Sequence, residues 1–328
     1  MYNLVMNKNV LVTGGAGYIG SHTCKELSKS GFTPVVIDNL TTGHKEFVKW
    51  GPLFVGDVKN KNDLKKVFSK YNIKLVIHLA AKAYIKESVV NPLKYFEENI
   101  SGTTNVLKQF LESKGDVFIF SSSCSVYGEK SNNTILESSP LVPINPYGFS
   151  KLASEKLIEY LKYSEDFNYS ILRYFNAAGA DRDLEIGNLR EDESHVVPLM
   201  IKALLKNRSF SINGNDYDTP DGSTIRDYVH VSDLANAHVL ALKYNILKKE
   251  DIICNLGTGV GVSVLDLINE MKKIEPGFIY NFRERRPGDP AYLVANSESA
   301  KRILNWEPSE SSLTNIISSS LSWYKKIL

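Results

Sequence analysis

The stretch Asn9-Val10-Leu11-Val12-Thr13-Gly14-Gly15-Ala16-Gly17-Tyr18-Ile19-Gly20 decides the fold. Its first five residues form a short, β-branched apolar run, the pattern of a buried strand. Glycines follow at once, and residues 21–30 then read as a helix. In such a strand, turn and helix unit, Gly14 permits the tight turn and Gly17 lets backbone approach a pyrophosphate. Gly20 lets the helix pack close on the strand. The helix N-terminus then offers N–H groups to phosphates, and Tyr18 and Ile19 in the turn are counted with the cofactor contacts. The ligand these features expect is a dinucleotide, although a glycine turn without any ligand has the same look.

Working outward, residues 34–37 form a second strand that ends in Asp38. A carboxylate there accepts from the adenosine ribose hydroxyls and repels a 2′-phosphate, which favours NAD over NADP. The following loop, Asn39, Leu40, Thr41, Thr42 and Gly43, is counted with the cofactor contacts. Asp57, beside Val58 at the end of the strand near residue 55, has two open readings. It could accept from the adenine amino group, or cap the helix expected at 62–71. Further elements are a strand at 74–79, a long helix at 93–111 and a strand at 117–122. This alternation predicts an α/β fold, a doubly wound parallel (Rossmann) sheet with helices on both faces. Ligands of such sheets lie beyond the carboxyl ends of the strands, where Leu79, Ala80, Ala81, Ser121 and Asn176 fall.

Composition narrows the classes. The 328 residues are 43% hydrophobic and 23% charged, with a formal net charge of +2, and Lys and Arg are dispersed. No basic patch speaks for nucleic acid, and no apolar run is long enough to span a bilayer. Residues 1–8 read as too short and polar for a signal peptide. Cys24, Cys124 and Cys254 are far apart and in no metal-ligand spacing, so buried thiols in a reducing cytoplasm are expected, and no metal.

Chemistry enters with Tyr147-Gly148-Phe149-Ser150-Lys151. Four-residue spacing on a helix stacks the phenol and the ammonium on one face. The positive charge favours phenolate, lowering the phenol from its reference pKa of about 10, and such a group can take a proton from an alcohol. Alone, a Tyr/Lys pair is commonplace on solvated helices.

Together, the glycine turn, Asn99-Ile100-Ser101-Gly102-Thr103, Ser121-Ser122-Ser123, Tyr147 to Lys151 and Arg173-Tyr174-Phe175-Asn176 carry a resemblance. The chain resembles the extended short-chain dehydrogenase/reductase family and, within it, the UDP-glucose (UDP-galactose) 4-epimerases. The similarity runs from about Asn9 to near Trp323. It implies Tyr147 as catalytic base, Lys151 as the residue that tunes it and holds the nicotinamide ribose, and Ser123 as a hydrogen-bond partner of the sugar's reacting oxygen. Asn99 and Tyr174 join the cofactor side, Tyr174 with a plain core role equally open. A UDP-sugar is the implied substrate, oxidised and re-reduced at carbon 4 with NAD retained. Asn176, Ser211, Asn213, Arg226, Tyr228, Arg286 and Asp289 match positions that hold it, while His195 and Val196 stand where many relatives carry an Asn-Leu pair, the histidine able to contact a phosphate or the uracil. Leu293 falls at a gate where a tyrosine in some members excludes N-acetylated sugars, although a slip of one residue would bring Tyr292 there.

A Rossmann domain over 1–176 and a smaller α/β sugar-nucleotide domain over 177–328 are expected, with the chain crossing back to the first sheet near 225–257. Apolar stripes on the helices at 93–111 and 147–163 imply a homodimer by resemblance. Three other readings use parts of the same sequence. A 4,6-dehydratase needs an acid/base pair after the active-site hydroxyl, where this chain has Cys124 and Ser125. A 4-epimerase of UDP-glucuronate or a UDP-pentose would use the same three catalytic groups. A non-catalytic NAD-sensing module would need none of them.

Overall fold

The computed structural model describes residues 8–129, 134–190, 193–285 and 289–328. It forms two compact units. The first comprises residues 1–128, 141–173 and 235–254; the second comprises 129–140, 174–234 and 255–328. The chain therefore changes unit at residues 173/174 rather than 176/177. It also lends residues 129–140 to the second unit and returns to the first over 235–254.

Within the first unit, apolar β-branched runs give strands β1 (Asn9–Thr13), β2 (Thr33–Asp38), β3 (Leu53–Val55), β4 (Leu75–His78), β5 (Val117–Ser123) and β6 (Asn168–Tyr174). With Ile252–Leu256 they make one seven-stranded sheet, in the order Ile252–Leu256, β6, β5, β4, β1, β2, β3. The ladders joining β3, β2, β1, β4 and β5 are all parallel. β1 and β4 are both buried along most of their length, as a parallel strand covered on both faces must be. Leu11, Val35, Ile37, Val76, Phe118 and Phe120 from the sheet pack with Leu64, Val67, Phe68, Val106, Phe110 and Ile158 from the helices. This is the doubly wound fold expected from the alternation of strands and helices.

The register brings the carboxyl ends together: Thr13 is paired with Ile37 on one side and His78 on the other, and His78 with Phe120. Close packing at that edge needs Gly20, in the helix Tyr18–Lys29. A Cβ there would lie 2.1 Å from the carbonyl oxygen of Gly14.

Two boundaries differ from the sequence reading for identifiable reasons. The first helix begins at Tyr18 instead of 21, because Gly17, extended at its N-cap, already turns the chain. The stretch expected as one helix over 93–111 is α-helical at Pro92–Tyr95 and Gly102–Glu112, with a wider π segment at Phe96–Ser101 between. Such segments interrupt the regular hydrogen-bond ladder and often mark functional positions.

In the second unit, among the described residues, short sheets and four helices, Val196–Leu205, Val264–Ile274, Glu298–Leu304 and Leu313–Ile327, replace the long parallel order. Ile225–Arg226 lies between Val262–Ser263, antiparallel to it, and Tyr292–Leu293, parallel to it. Asn176–Ala178 pairs in parallel with Tyr228–His230, and Phe210–Asn213 with Tyr280–Arg283. Among the described residues, no helix is long and apolar enough to cross a membrane.

Candidate active site

The cofactor side is built on the turn at Gly14 and the loop after β2. Gly17 caps the Tyr18–Lys29 helix without any side-chain hydrogen bond, so no side chain competes for the N–H groups of the first turn. Asp38 is 9% exposed; one oxygen accepts from the Ala16 N–H at 3.0 Å and the other from the Leu40 N–H at 2.8 Å. Burial pushes its carboxyl above the usual carboxylate range, while these N–H bonds pull the other way. Asn39 accepts from the Thr41 N–H and hydroxyl at 3.1 and 2.8 Å and donates to Asp57 at 3.0 Å. The 39–43 loop is thereby ordered, with Leu40 at φ 59. Asp57 does not cap the helix Lys61–Tyr71; Asn60 does, accepting from the Asn62 N–H. These residues fit a dinucleotide: an uncapped helix start for phosphates and a strand-end carboxylate with spare lone pairs for ribose.

Three elements bring the catalytic candidates to the same edge. Ser123 ends β5 and caps the short turn Cys124–Val126, its oxygen accepting from the Ser125 N–H at 3.2 Å. Tyr147 and Lys151 lie one turn apart on the helix Pro146–Leu161. That helix starts where it does because Asn145 caps it, accepting from the Gly148 N–H at 2.8 Å, and Pro146 takes the first position. Gly148 brings the helix against the turn after Ser123, since a Cβ there would lie 2.4 Å from the Ser125 carbonyl oxygen. Ser123, Tyr147 and Lys151 are all buried.

The Lys151 amine donates to the Ser121 carbonyl at 2.8 Å and lies 5.0 Å over the Phe120 ring. Burial lowers its pKa to about 7, with the charge of Glu155 opposing. Tyr95 stands edge-on to Tyr147, ring centroids 6.4 Å apart. Asn99, in the π segment, is buried and committed to protein partners: its oxygen accepts from the Lys82 N–H at 2.8 Å, and its amide donates to the Lys82 carbonyl and the Ser150 hydroxyl at 3.0 and 2.9 Å. Val58 and Tyr174 are buried at their strand and loop ends, with Leu79, Ala80, Ala81 and Ser121 at the same edge of the sheet.

The second unit gathers Arg226 and Asp289 as an ion pair, and the Arg226 guanidinium also donates to the Ile225 carbonyl at 2.8 Å. Leu293 is paired with Arg226 in the ladder, and Tyr292 with Ile225. Neighbouring strand positions face opposite ways, so Leu293, not Tyr292, shares the Arg226 face. Asn176 donates its backbone N–H and side-chain amide to the Asp227 carbonyl at 2.9 and 3.2 Å. His195 caps Val196–Leu205, its Nδ1 2.8 Å from Glu193, whose carboxyl is held down at about 2; burial opposes, and the His195 hydrogen bonds and charge prevail. Ser211 and Asn213 lie on Phe210–Asn213, and Tyr228 is buried. Arg286 falls outside the described residues. Asp181, Asp183 and Glu185 bring carboxylate oxygens within 4.8 Å of one another, and the Glu185 N–H occupies an Asp181 oxygen at 3.1 Å.

Sequence reasoning missed several residues that organise these sites: Thr13 and His78 under the glycine turn, Glu155 and Arg173 behind Lys151, and Asp227 beside Arg226. Glu155 alone had a legible signal, standing four residues beyond Lys151 on the same helix face.

A parallel sheet with this glycine turn and a buried Ser, Tyr and Lys at its carboxyl edge defines a nucleotide-cofactor enzyme of the short-chain dehydrogenase/reductase type. The chain belongs to the NAD dependent epimerase/dehydratase family, whose sequence profile matches residues 10–257. It is 43% identical over 324 residues to the UDP-glucose 4-epimerase of Rhizobium meliloti (strain 1021), covering 98% of each chain. Among solved structures it is similar to UDP-glucose 4-epimerase from Brucella ovis in complex with NAD, at 41% identity and a TM-score of 0.92, covering 96% of this chain and 97% of that one. It is likewise similar to the enzyme from Bifidobacterium longum in complex with NAD+ and UDP, at 34% identity and a TM-score of 0.91, covering 97% and 98%.

Lys151 makes a stability test possible. Its folded pKa of about 7 lies below the unfolded reference of 10.5, so the unfolded chain binds more protons between these values. Stability should therefore rise with pH from about 7 to the unfolded value of 10.5, by at most roughly 5 kcal/mol if the whole shift is expressed. In urea unfolding followed against pH, Lys151→Met should flatten that rise; an unchanged slope would contradict the buried, weakly basic amine.

Proposed function

We propose that this protein interconverts UDP-glucose and UDP-galactose by epimerisation at sugar carbon 4. The observation that carries the reading is the convergence of Ser123, Tyr147 and Lys151, all buried, at the carboxyl edge of a sheet whose glycine turn suits a dinucleotide. Membership of an NAD-dependent epimerase family and relatives named for this reaction support it.

In this reading Tyr147 accepts the proton of the 4-hydroxyl and returns it at the end of the cycle. Lys151 favours the phenolate by its charge and donates to the nicotinamide ribose, and Ser123 hydrogen-bonds the reacting oxygen. Gly14, Gly17, Tyr18, Ile19 and Gly20 serve the pyrophosphate, while Asp38 and the 39–43 loop serve the adenosine. Asn99, assigned to the cofactor side, also holds residue 82 against Ser150. The chemistry the cofactor supplies is reversible hydride acceptance at carbon 4, so the reaction ends without net redox change.

The second unit is assigned the nucleotide. Arg226 and Arg286 suit diphosphate oxygens, and Asp289 can accept from ribose hydroxyls. Asn176, His195, Val196, Ser211, Asn213 and Tyr228 complete this set. Because Leu293 shares the Arg226 face and is smaller than tyrosine, we infer that N-acetylated UDP-sugars are accepted too.

We further infer a homodimer. Leu93, Phe149 and Tyr160 are large hydrophobics left exposed on the helical stretches from 92 to 112 and 146 to 161, with Tyr163 exposed just beyond the second. A four-helix pairing across two copies would cover them. Buried thiols at Cys24, Cys124 and Cys254, none in a disulfide, suit a cytoplasmic setting.

Purified protein should convert UDP-galactose to UDP-glucose with no NAD added. Tyr147→Phe should keep its bound NAD yet lose turnover about a thousandfold, in line with removal of a positioned acid–base group; full activity in that variant would end the epimerase mechanism. Leu293→Tyr should abolish turnover of UDP-N-acetylglucosamine and spare UDP-glucose, and failure of the native protein to turn over the acetylated sugar would refute the open gate. Sedimentation at micromolar concentration should report a dimer; a monomer at every concentration would remove the helical interface.

A further inference from the structure

Behind Lys151 the first unit buries a charge pair that the mechanism above does not use. Glu155 is 0% exposed and Arg173 2%. One Glu155 oxygen accepts from Arg173 Nε at 3.0 Å and the other from Nη2 at 2.7 Å, a two-pronged pairing of carboxylate and guanidinium. The Ser122 hydroxyl donates to the same carboxylate. Arg173 Nη1 donates to the Tyr127 hydroxyl at 2.9 Å, with the guanidinium 5.1 Å from that ring's centroid.

Each member sits on a different element. Ser122 precedes Ser123 on β5, Tyr127 follows the turn that Ser123 caps, Glu155 is four residues beyond Lys151, and Arg173 is on β6. Taking two charges from water is costly, and an apolar pair of equal volume often serves stability as well. A role beyond stability is the reason to look for.

We propose that Glu155, locked by Arg173, is a positioning residue for epimerisation: it clamps the strand end bearing Ser123 to the helix bearing Tyr147 and Lys151, and keeps a negative charge one turn behind the lysine. The proposal rests on the epimerase reading above. Ser121, Ser122 and Ser123 are consecutive; the first receives Lys151, the second reaches Glu155, and the third meets the sugar. A helix displaced by a fraction of an ångström would spoil the Ser123 to Tyr147 geometry without touching substrate.

Glu155 also opposes the effect of burial on Lys151. The other groups facing the lysine are few. From β4 comes His78, whose pKa burial lowers to about 3, so that it stays neutral. β5 presents the Ser121 carbonyl and the Phe120 ring, and the lysine's own helix presents Tyr147. Arg173 on β6 is bound up with Glu155.

The experiment compares the full-length protein, with its bound cofactor, to Glu155→Gln, Glu155→Asp and the paired replacement Glu155→Leu with Arg173→Met. The readouts are kcat and KM for UDP-galactose from pH 6 to 10, bound NAD, and the unfolding midpoint. Glu155→Gln should lower kcat tenfold or more with KM within twofold, and move the alkaline limb of kcat to lower pH. Glu155→Asp should lower kcat while leaving that limb where it is in the native protein. The apolar pair, which leaves no charge unpaired, should unfold with a near-native midpoint yet show the same kcat loss and displaced limb. Native kcat and an unmoved limb in the apolar pair would overturn the proposal. So would a loss of activity in all variants that only follows loss of NAD or of folded protein. Tyr147→Phe run alongside separates the two ideas, since turnover in that variant removes the epimerase mechanism whatever Glu155 does.

Discussion

The bond from the Lys151 amine to the Ser121 carbonyl is the contact on which the catalytic edge turns. It ties a helix to the strand beneath it at the one level where both carry reactive groups. Tyr147 lies one helical turn before the lysine. Ser123 lies two residues beyond Ser121, on the same face of β5. The Asn145 cap and the close approach at Gly148 fix the same helix against the turn after Ser123. Burial makes the amine costly as a cation; the charge of Glu155 opposes that cost, and the Ser121 carbonyl and the Phe120 ring lie against the ammonium.

A second set of polar bonds, wholly within the first unit, wires the glycine turn to that helix, and its protons can be assigned. The Thr103 hydroxyl donates to the Asn99 carbonyl at 2.6 Å, so it must accept from His78 Nε2 at 2.9 Å. Burial and the neighbouring Lys151 keep His78 neutral, which leaves Nδ1 as an acceptor for the Thr13 hydroxyl at 2.7 Å. The Thr13 oxygen in turn accepts from the N–H groups of Leu79 and Ala80, both at 3.1 Å. Asn99 carries the chain onward to Ser150, whose hydroxyl donates to the Tyr147 carbonyl at 2.7 Å. Hydroxyls, an imidazole and an amide thus link the glycine turn to the catalytic helix through buried side chains of one unit.

What could be read from sequence was what is local. The strand, glycine turn and helix of residues 9–29 are legible because apolar runs and glycines act within a few positions. Tyr147 and Lys151 are legible because helical periodicity puts them together. The motif places Asn99 on the cofactor side, but its protein partners lie 17 and 51 residues away, and nothing near it announces them. The π segment around it escaped for the same reason, since the residues 93–111 carry an ordinary helical pattern. Asp57 lost the capping role to Asn60, three residues nearer the helix, which sequence leaves open because both side chains can accept. Whether Leu293 or Tyr292 faces Arg226 depends on strand register, and a period of two makes either reading self-consistent until the ladder is seen.

The second unit divides its polar groups between scaffold and exchangeable parts. Asp227 is scaffold: it is 0% exposed, and its carboxylate accepts from the Thr258 N–H and hydroxyl, the Gly259 N–H and the Ala295 N–H, all within 3.1 Å. Burial raises its pKa, and those donors hold it down. Its carbonyl holds Asn176, and its neighbour in sequence is Arg226. The Arg226–Asp289 pair is different, because the aspartate remains 30% exposed. The Arg226 side chain is 11% exposed, so the pair is open to ligand mainly from the carboxylate side. A bound anion that takes over the guanidinium, or a hydroxyl that takes up the carboxylate, exchanges one partner for another, while the buried Asp227 beside them keeps the strand that carries Arg226 in register.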